Sequence, residues 1–117
     1  MPTTPADTAR HLRGLAGRRR ALAATRAERL RGRLPAGAEL LRARYGARRV
    51  LLFGSLATSA CRVDSDVDIA VSGVPPEKYF AALADLMEVL GTPVDLVRLE
   101  EAPESLRDRI AAEGEAL

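Results

Sequence analysis

The chain has 117 residues, a formal net charge of +2, 47% apolar side chains and few aromatics, with two Tyr, two Phe and no Trp. This length allows one compact domain, with at most an appendage, and excludes two independent active domains. The charge is unevenly spread, because residues 1–49 hold 13 Arg against Asp7, Glu28 and Glu39, whereas residues 50–117 hold five basic and 13 acidic side chains. Such polarity suits contact between the two halves, or an acidic partner for the basic half. The single cysteine, Cys61, excludes an internal disulfide, and the N-terminus lacks the apolar run of a signal peptide or membrane span, so a cytoplasmic protein is expected.

From about Asp7 to Arg33 the chain is rich in Ala, Leu and Arg and is predicted to be helical. Leu12, Leu15, Leu22 and Leu30 form a thin apolar stripe on a strongly basic surface. Pro35 is expected to open a second helix, carrying Leu40, Leu41 and Tyr45, that stops at Gly46. Residues 1–34 are thus read as a basic helical arm and 35–117 as the functional domain. Val50–Phe53 reads as a buried strand, and the alternation from Val67 to Val71 as a second strand with one apolar face. After Gly73 and Pro75-Pro76 comes the clearest amphipathic helix, with Tyr79, Phe80, Leu83, Leu86, Met87 and Leu90 at helical spacing and Tyr79 and Phe80 expected in the core. Gly91 and Pro93 end it, Val94–Val97 forms a third strand, and Pro103 starts a last helix holding Leu106 and Ile110.

Gly54-Ser55, directly after the first strand, is followed after ten residues by Asp66-Val67-Asp68. On a strand alternate side chains share a face, so Val67, Ile69 and Val71 enter the core while Asp66 and Asp68 project together. Two carboxylates held this close repel unless a proton or cation lies between them, and Mg²⁺ prefers such hard oxygen ligands. If the third strand lies beside the second with Val94 and Leu96 buried, Asp95 emerges on the same face. Three carboxylates suit two-metal catalysis, in which one ligand set bridges both ions and another holds the ion at the nucleophile.

These residues resemble the minimal nucleotidyltransferases of the DNA polymerase β superfamily, whose pattern is Gly-Ser, ten residues, Asp-x-Asp and a later strand Asp. The resemblance covers Ala47 to about Leu117 and implies an α/β (α+β) fold, a small mixed sheet flanked by helices. The chain's size and Pro93–Val97 segment look most like the MNT antitoxins that pair with HEPT toxins. That likeness implies transfer of AMP from ATP to a tyrosine of the partner toxin. Gly54 and Ser55 would hold the triphosphate, and Asp66, Asp68 and Asp95 would ligate two Mg²⁺, with Asp95 also assisting the attacking hydroxyl. The family usually has Ala-Arg-Gly after Gly-Ser-x, but here Leu56-Ala57-Thr58-Ser59 stands instead. Thr58 can hydrogen bond a phosphate without neutralising it, and Arg62 in the same loop is the candidate to replace the missing charge.

The other polar residues carry blander readings. Asp64 and Ser65 read as loop and turn residues, Cys61 has no role in this chemistry, and a lone His11 cannot build a zinc site. The Arg18-Arg19-Arg20 run is a solvated helix face or a contact for an acidic protein, a second copy included. No aromatic residue interleaves those arginines, so a nucleic-acid base-stacking surface is absent. Larger superfamily members close an additional domain over the nucleotide, and this length leaves no room for one, so a partner should complete the pocket. The competing readings are an antitoxin that acts by masking alone, a transferase for a small-molecule hydroxyl, and a nucleic-acid binder using the arginine arm, which predicts steep salt dependence of binding.

Overall fold

The computed structural model describes residues 5–57 and 66–117, with side chains from residue 13 onward. Its first helix, α1, runs unbroken from Pro5 to Tyr45, 41 residues with Pro35 inside, where the sequence predicts a stop and a fresh start. An interior proline removes a backbone hydrogen bond and costs about 3 kcal/mol or more. Burial on both sides offsets that cost: Leu30 and Leu34 precede Pro35, Ala38, Leu41 and Tyr45 follow it, and all five are buried. Their spacing of three to four residues makes one continuous stripe. Pro35 lies on the exposed side, where water can satisfy the carbonyl left without a donor.

Among the described residues four strands form one sheet: β1 (Arg49–Phe53), β2 (Val67–Ser72), β3 (Val94–Arg98) and β4 (Glu115–Ala116), in the order β3-β2-β1-β4. β1 pairs antiparallel with both β2 and β4, whereas β2 and β3 are parallel. Parallel neighbours need a crossover, and helix α2 (Tyr79–Leu90), entered through a 3₁₀ turn at Pro76–Lys78, supplies it. Helix α3 (Glu104–Glu113) follows Pro103. β4 has no counterpart in the sequence reading. It is two residues long and is held from outside: Leu117 N–H donates to Val50 O at 2.9 Å, and Arg31 on α1 pairs with the Glu115 carboxylate at 3.1 Å.

Strand alternation divides the side chains between two layers. Val50, Leu52, Val67, Ile69, Val71, Val94 and Leu96 meet α1 and α2 in the main core, whereas Phe53 and Ala70 meet Ile110 of α3 in a smaller cluster on the opposite face. Gly37 lets α1 and α2 approach closely, since a Cβ there would stand 2.9 Å from Leu86 Cδ1. Arg26 also donates to Thr92 Oγ1 at 2.9 Å and Arg33 to Leu90 O at 3.2 Å, fastening α1 to the end of α2. Tyr45 donates to the Asp85 carboxylate, which also pairs with Arg44 at 3.0 Å.

Within α2 the buried positions are Ala82, Leu86 and Leu90. Phe80, expected in the core, is instead 79% exposed, because the face that meets α1 is centred on Ala82 and Leu86 and leaves Phe80 pointing outward. Among the described residues no helix is long and apolar enough to cross a membrane. The amino-terminal part of α1 has no buried side chain before Leu30 among those described, and the molecule measures 63 Å along its longest axis. A 41-residue helix is about 60 Å long, so α1 spans that axis and its basic end projects from the body.

Candidate active site

The Gly-Ser turn and Asp68 are brought together by the sheet register, in which Phe53 at the end of β1 faces Asp68 on β2. Gly54, the next residue, has φ +74°, a left-handed conformation that favours glycine. A Cβ there would stand 2.1 Å from Asp68 Oδ2. The turn and the carboxylate therefore occupy adjoining space that only a residue without a side chain leaves open. Ser55 follows, half-buried.

The parallel register sets Asp68 beside Asp95, and neighbouring strands lie about 4.8 Å apart. Val94 and Leu96 are buried in the main core while Asp95 between them is exposed on the opposite face, the face toward which Asp68 also points. Asp66, exposed, precedes β2 by one residue, about 6.6 Å along the chain from Asp68. The Asp68 carboxyl is pushed above the usual carboxylate range, chiefly by burial and then by the negative charge of Asp95; Arg109 opposes the shift and Asp66 adds to it. Asp68 thus lies in the field of the other two carboxylates, at the end of the sheet face that α3 leaves uncovered.

This donor set fits a hard divalent cation: it is all carboxylate oxygen, and one member is partly buried and repelled by the other two, a repulsion that a cation would relieve. Among the described residues no three Asp, Glu, His or Cys side chains already converge on a common point, so binding ions would require the side chains to turn toward one another. Thr58 and Arg62 lie outside the described residues, as do Cys61, Asp64 and Ser65.

The sequence reading passed over two neighbours of the site. Arg109 on α3 is the basic group whose field reaches Asp68. It also pairs with Glu113 at 3.4 Å. Only the docking of α3 by Ile110 against Phe53 and Ala70 brings it there. Arg31 on α1 donates through Nη2 to Leu56 O at 3.1 Å, bracing the chain just after Ser55. Nothing in the local sequence marks either arginine among so many others.

A mixed sheet that places a Gly-Ser turn against strand-end carboxylates defines a nucleotidyltransferase of the polymerase β type. The profile of the Polymerase beta, Nucleotidyltransferase family matches residues 38–117, and the chain belongs to that family. Among solved structures, a protein described as a minimal nucleotidyltransferase is 34% identical, with a TM-score of 0.70 over 78% of this chain and 95% of its own. A toxin–antitoxin complex with AMP-PNP is 28% identical, with a TM-score of 0.62 over 68% of this chain and 67% of that one. A tri-AMPylated HEPN toxin from Shewanella oneidensis in complex with its MNT antitoxin matches at 24% identity and a TM-score of 0.60, over 74% of this chain and 70% of that one, which speaks for the fold alone. No curated protein matches the chain.

Proposed function

We propose that this chain is a Mg²⁺-dependent nucleotidyltransferase that transfers AMP from ATP to a tyrosine hydroxyl of a helical HEPT-type toxin partner, acting as its antitoxin. The observation that carries the reading is the Gly54–Asp68 juxtaposition with Asp95 alongside in register, which supports a site for a triphosphate and its ions. The similarity to toxin–antitoxin complexes supports the choice of a protein acceptor. Residues 35–117 would act as the transferase domain and residues 1–34 as its basic arm.

In this reading the Gly54 backbone and the Ser55 hydroxyl orient the triphosphate, with Thr58 and Arg62 contributing from the residues that follow. Asp66 and Asp68 would hold two Mg²⁺ and Asp95 would complete the ligand set nearest the acceptor. Bound there, the ions would neutralise phosphate charge and favour ionisation of the acceptor hydroxyl. Asp95 would also receive the phenolic proton as the tyrosine oxygen attacks the α-phosphorus in line. The new bond joins that oxygen to the α-phosphorus, the bond to the bridging oxygen breaks, and pyrophosphate leaves. Catalysis then rests on positioning and electrostatics.

The test is incubation of the chain with ATP, Mg²⁺ and the HEPT-type protein encoded beside it, followed by mass spectrometry of that protein. One or more added AMP units on tyrosine is the expected result, and an unmodified partner would refute transfer. The absence of the usual arginine at Thr58 favours a second reading, neutralisation by binding alone. A variant combining Asp66→Asn and Asp68→Asn separates the two: under the transfer reading it still forms the complex but no longer protects cells.

A further inference from the structure

A cleft of about 470 Å³ opens along strand β3, at the edge of the sheet, between the start of α2 and the start of α3. Its apolar walls include Phe80 on one side and Pro103 and Leu106 on the other, with Val97 on the floor. Phe80 is 79% exposed and stands edge-on to Tyr79, their ring centroids 5.1 Å apart. An aromatic ring left this exposed beside an apolar groove is costly in water unless something covers it.

Three further features say what covers it. Val97 lies two residues beyond Asp95 on the same strand, so both project from one face about 6.6 Å apart, and the charge of Asp95 reaches Tyr79 in the cleft wall. The strand edge is not free for an incoming strand at its centre, because Tyr79 donates its hydroxyl to Leu96 O at 2.7 Å. The cleft therefore suits an inserted side chain better than an added strand. Arg98 and Glu101 in its lining pair with each other, so the cleft suits an uncharged occupant better than a charged one.

We propose that this cleft is the acceptor site: it seats the ring of the partner's tyrosine on Phe80, Leu106 and Val97, with the phenolic oxygen directed at Asp95. The inference rests on the transfer reading given above and deepens it by assigning the surface that selects an aromatic hydroxyl. A serine or threonine hydroxyl, lacking the ring, would not reach from those walls to Asp95.

The test uses the full chain and the same HEPT-type partner, with two readouts. Phe80→Ala should raise the KM for the partner about tenfold, the loss expected for an aromatic anchor. The affinity for ATP should stay at the wild-type value, and calorimetry without nucleotide should show weaker partner binding. Phe80→Tyr should recover most of the loss, and Leu22→Ala, an exposed apolar change on the projecting helix, should leave KM unchanged. Equal KM and equal partner affinity in wild type and Phe80→Ala, while the wild type transfers AMP, would overturn the cleft and leave the transfer reading standing. A wild type that modifies nothing, but whose partner affinity still falls with Phe80→Ala, would sink transfer and keep the cleft as a docking site.

Discussion

The two faces of the sheet are built from the same three long strands and covered very differently. One is closed by α1 and α2 over a continuous core that includes Leu41, Leu52, Ile69 and Leu86, all fully buried. Among the described residues the other is covered by α3 alone, through Ile110 and the partly buried Leu106, and its end is left to Asp66, Asp68 and Asp95. Strand alternation makes the division possible, since each residue given to one layer is withheld from the other. The comparison teaches that the closed face carries stability, while the other face holds a partly buried carboxylate, Asp68, beside the negative charges of Asp95 and Asp66.

The largest expected effect lies on the open face. Asp68→Asn should lower AMP transfer by about 10²–10³-fold or more, yet raise the melting temperature slightly. The sign follows from linkage: the folded-state pKa of Asp68 is raised above its ordinary value of 3.8, so its stabilising contribution is complete below that value and is lost as pH rises through the raised one. The melting-temperature advantage of the variant over wild type should therefore grow with pH across that window. Added Mg²⁺ should stabilise the wild type and not the variant in a thermal-shift assay. A variant less stable than wild type at neutral pH would break the contrast between the faces.

On the closed face Leu41→Ala should cost about 2–5 kcal/mol in denaturant unfolding, and Leu106→Ala under α3 about 1–2 kcal/mol, given its partial burial. Equal losses at the two positions would show that α3 closes its layer as firmly as α1 and α2 close theirs. Gly54→Ala comes next, at about 1–3 kcal/mol, because it combines a left-handed backbone with a collision against Asp68. Transfer should fall well beyond that loss of stability, and preserved activity would show that the turn tolerates a shifted carboxylate. Smallest is Leu22→Ala on the projecting helix, within about 0.5 kcal/mol; a larger change would mean that the arm packs against something.

Much of this division was legible in the sequence. Alternation from Val67 to Val71 sorted Asp68 from the core, and Val94 and Leu96 did the same for Asp95, because a period of two is read directly from neighbouring residues. The parallel register that sets Asp68 beside Asp95 needed only the α2 crossover, itself marked by Gly91 and Pro93. What escaped depended on contacts distant in sequence. Pro35 reads as a helix start unless the burial of Leu30 and Leu34 is known. β4 is too short to carry a pattern and is held by Arg31 and the backbone of Val50. Phe80 has the spacing of a core residue, and only the α1–α2 contact centred on Ala82 and Leu86 turns it outward. Arg109 is one arginine among many until Ile110 anchors α3.

The approach of Gly54 to Asp68 also bears on how sequences of this kind can drift. Because the carboxylate fills the space that a side chain at position 54 would need, the two positions are not free to vary one at a time. A smaller residue at position 68 would lift the steric bar at position 54 while the positive φ still favoured glycine or asparagine. Replacement of the aspartate by a smaller residue should therefore come before replacement of the glycine.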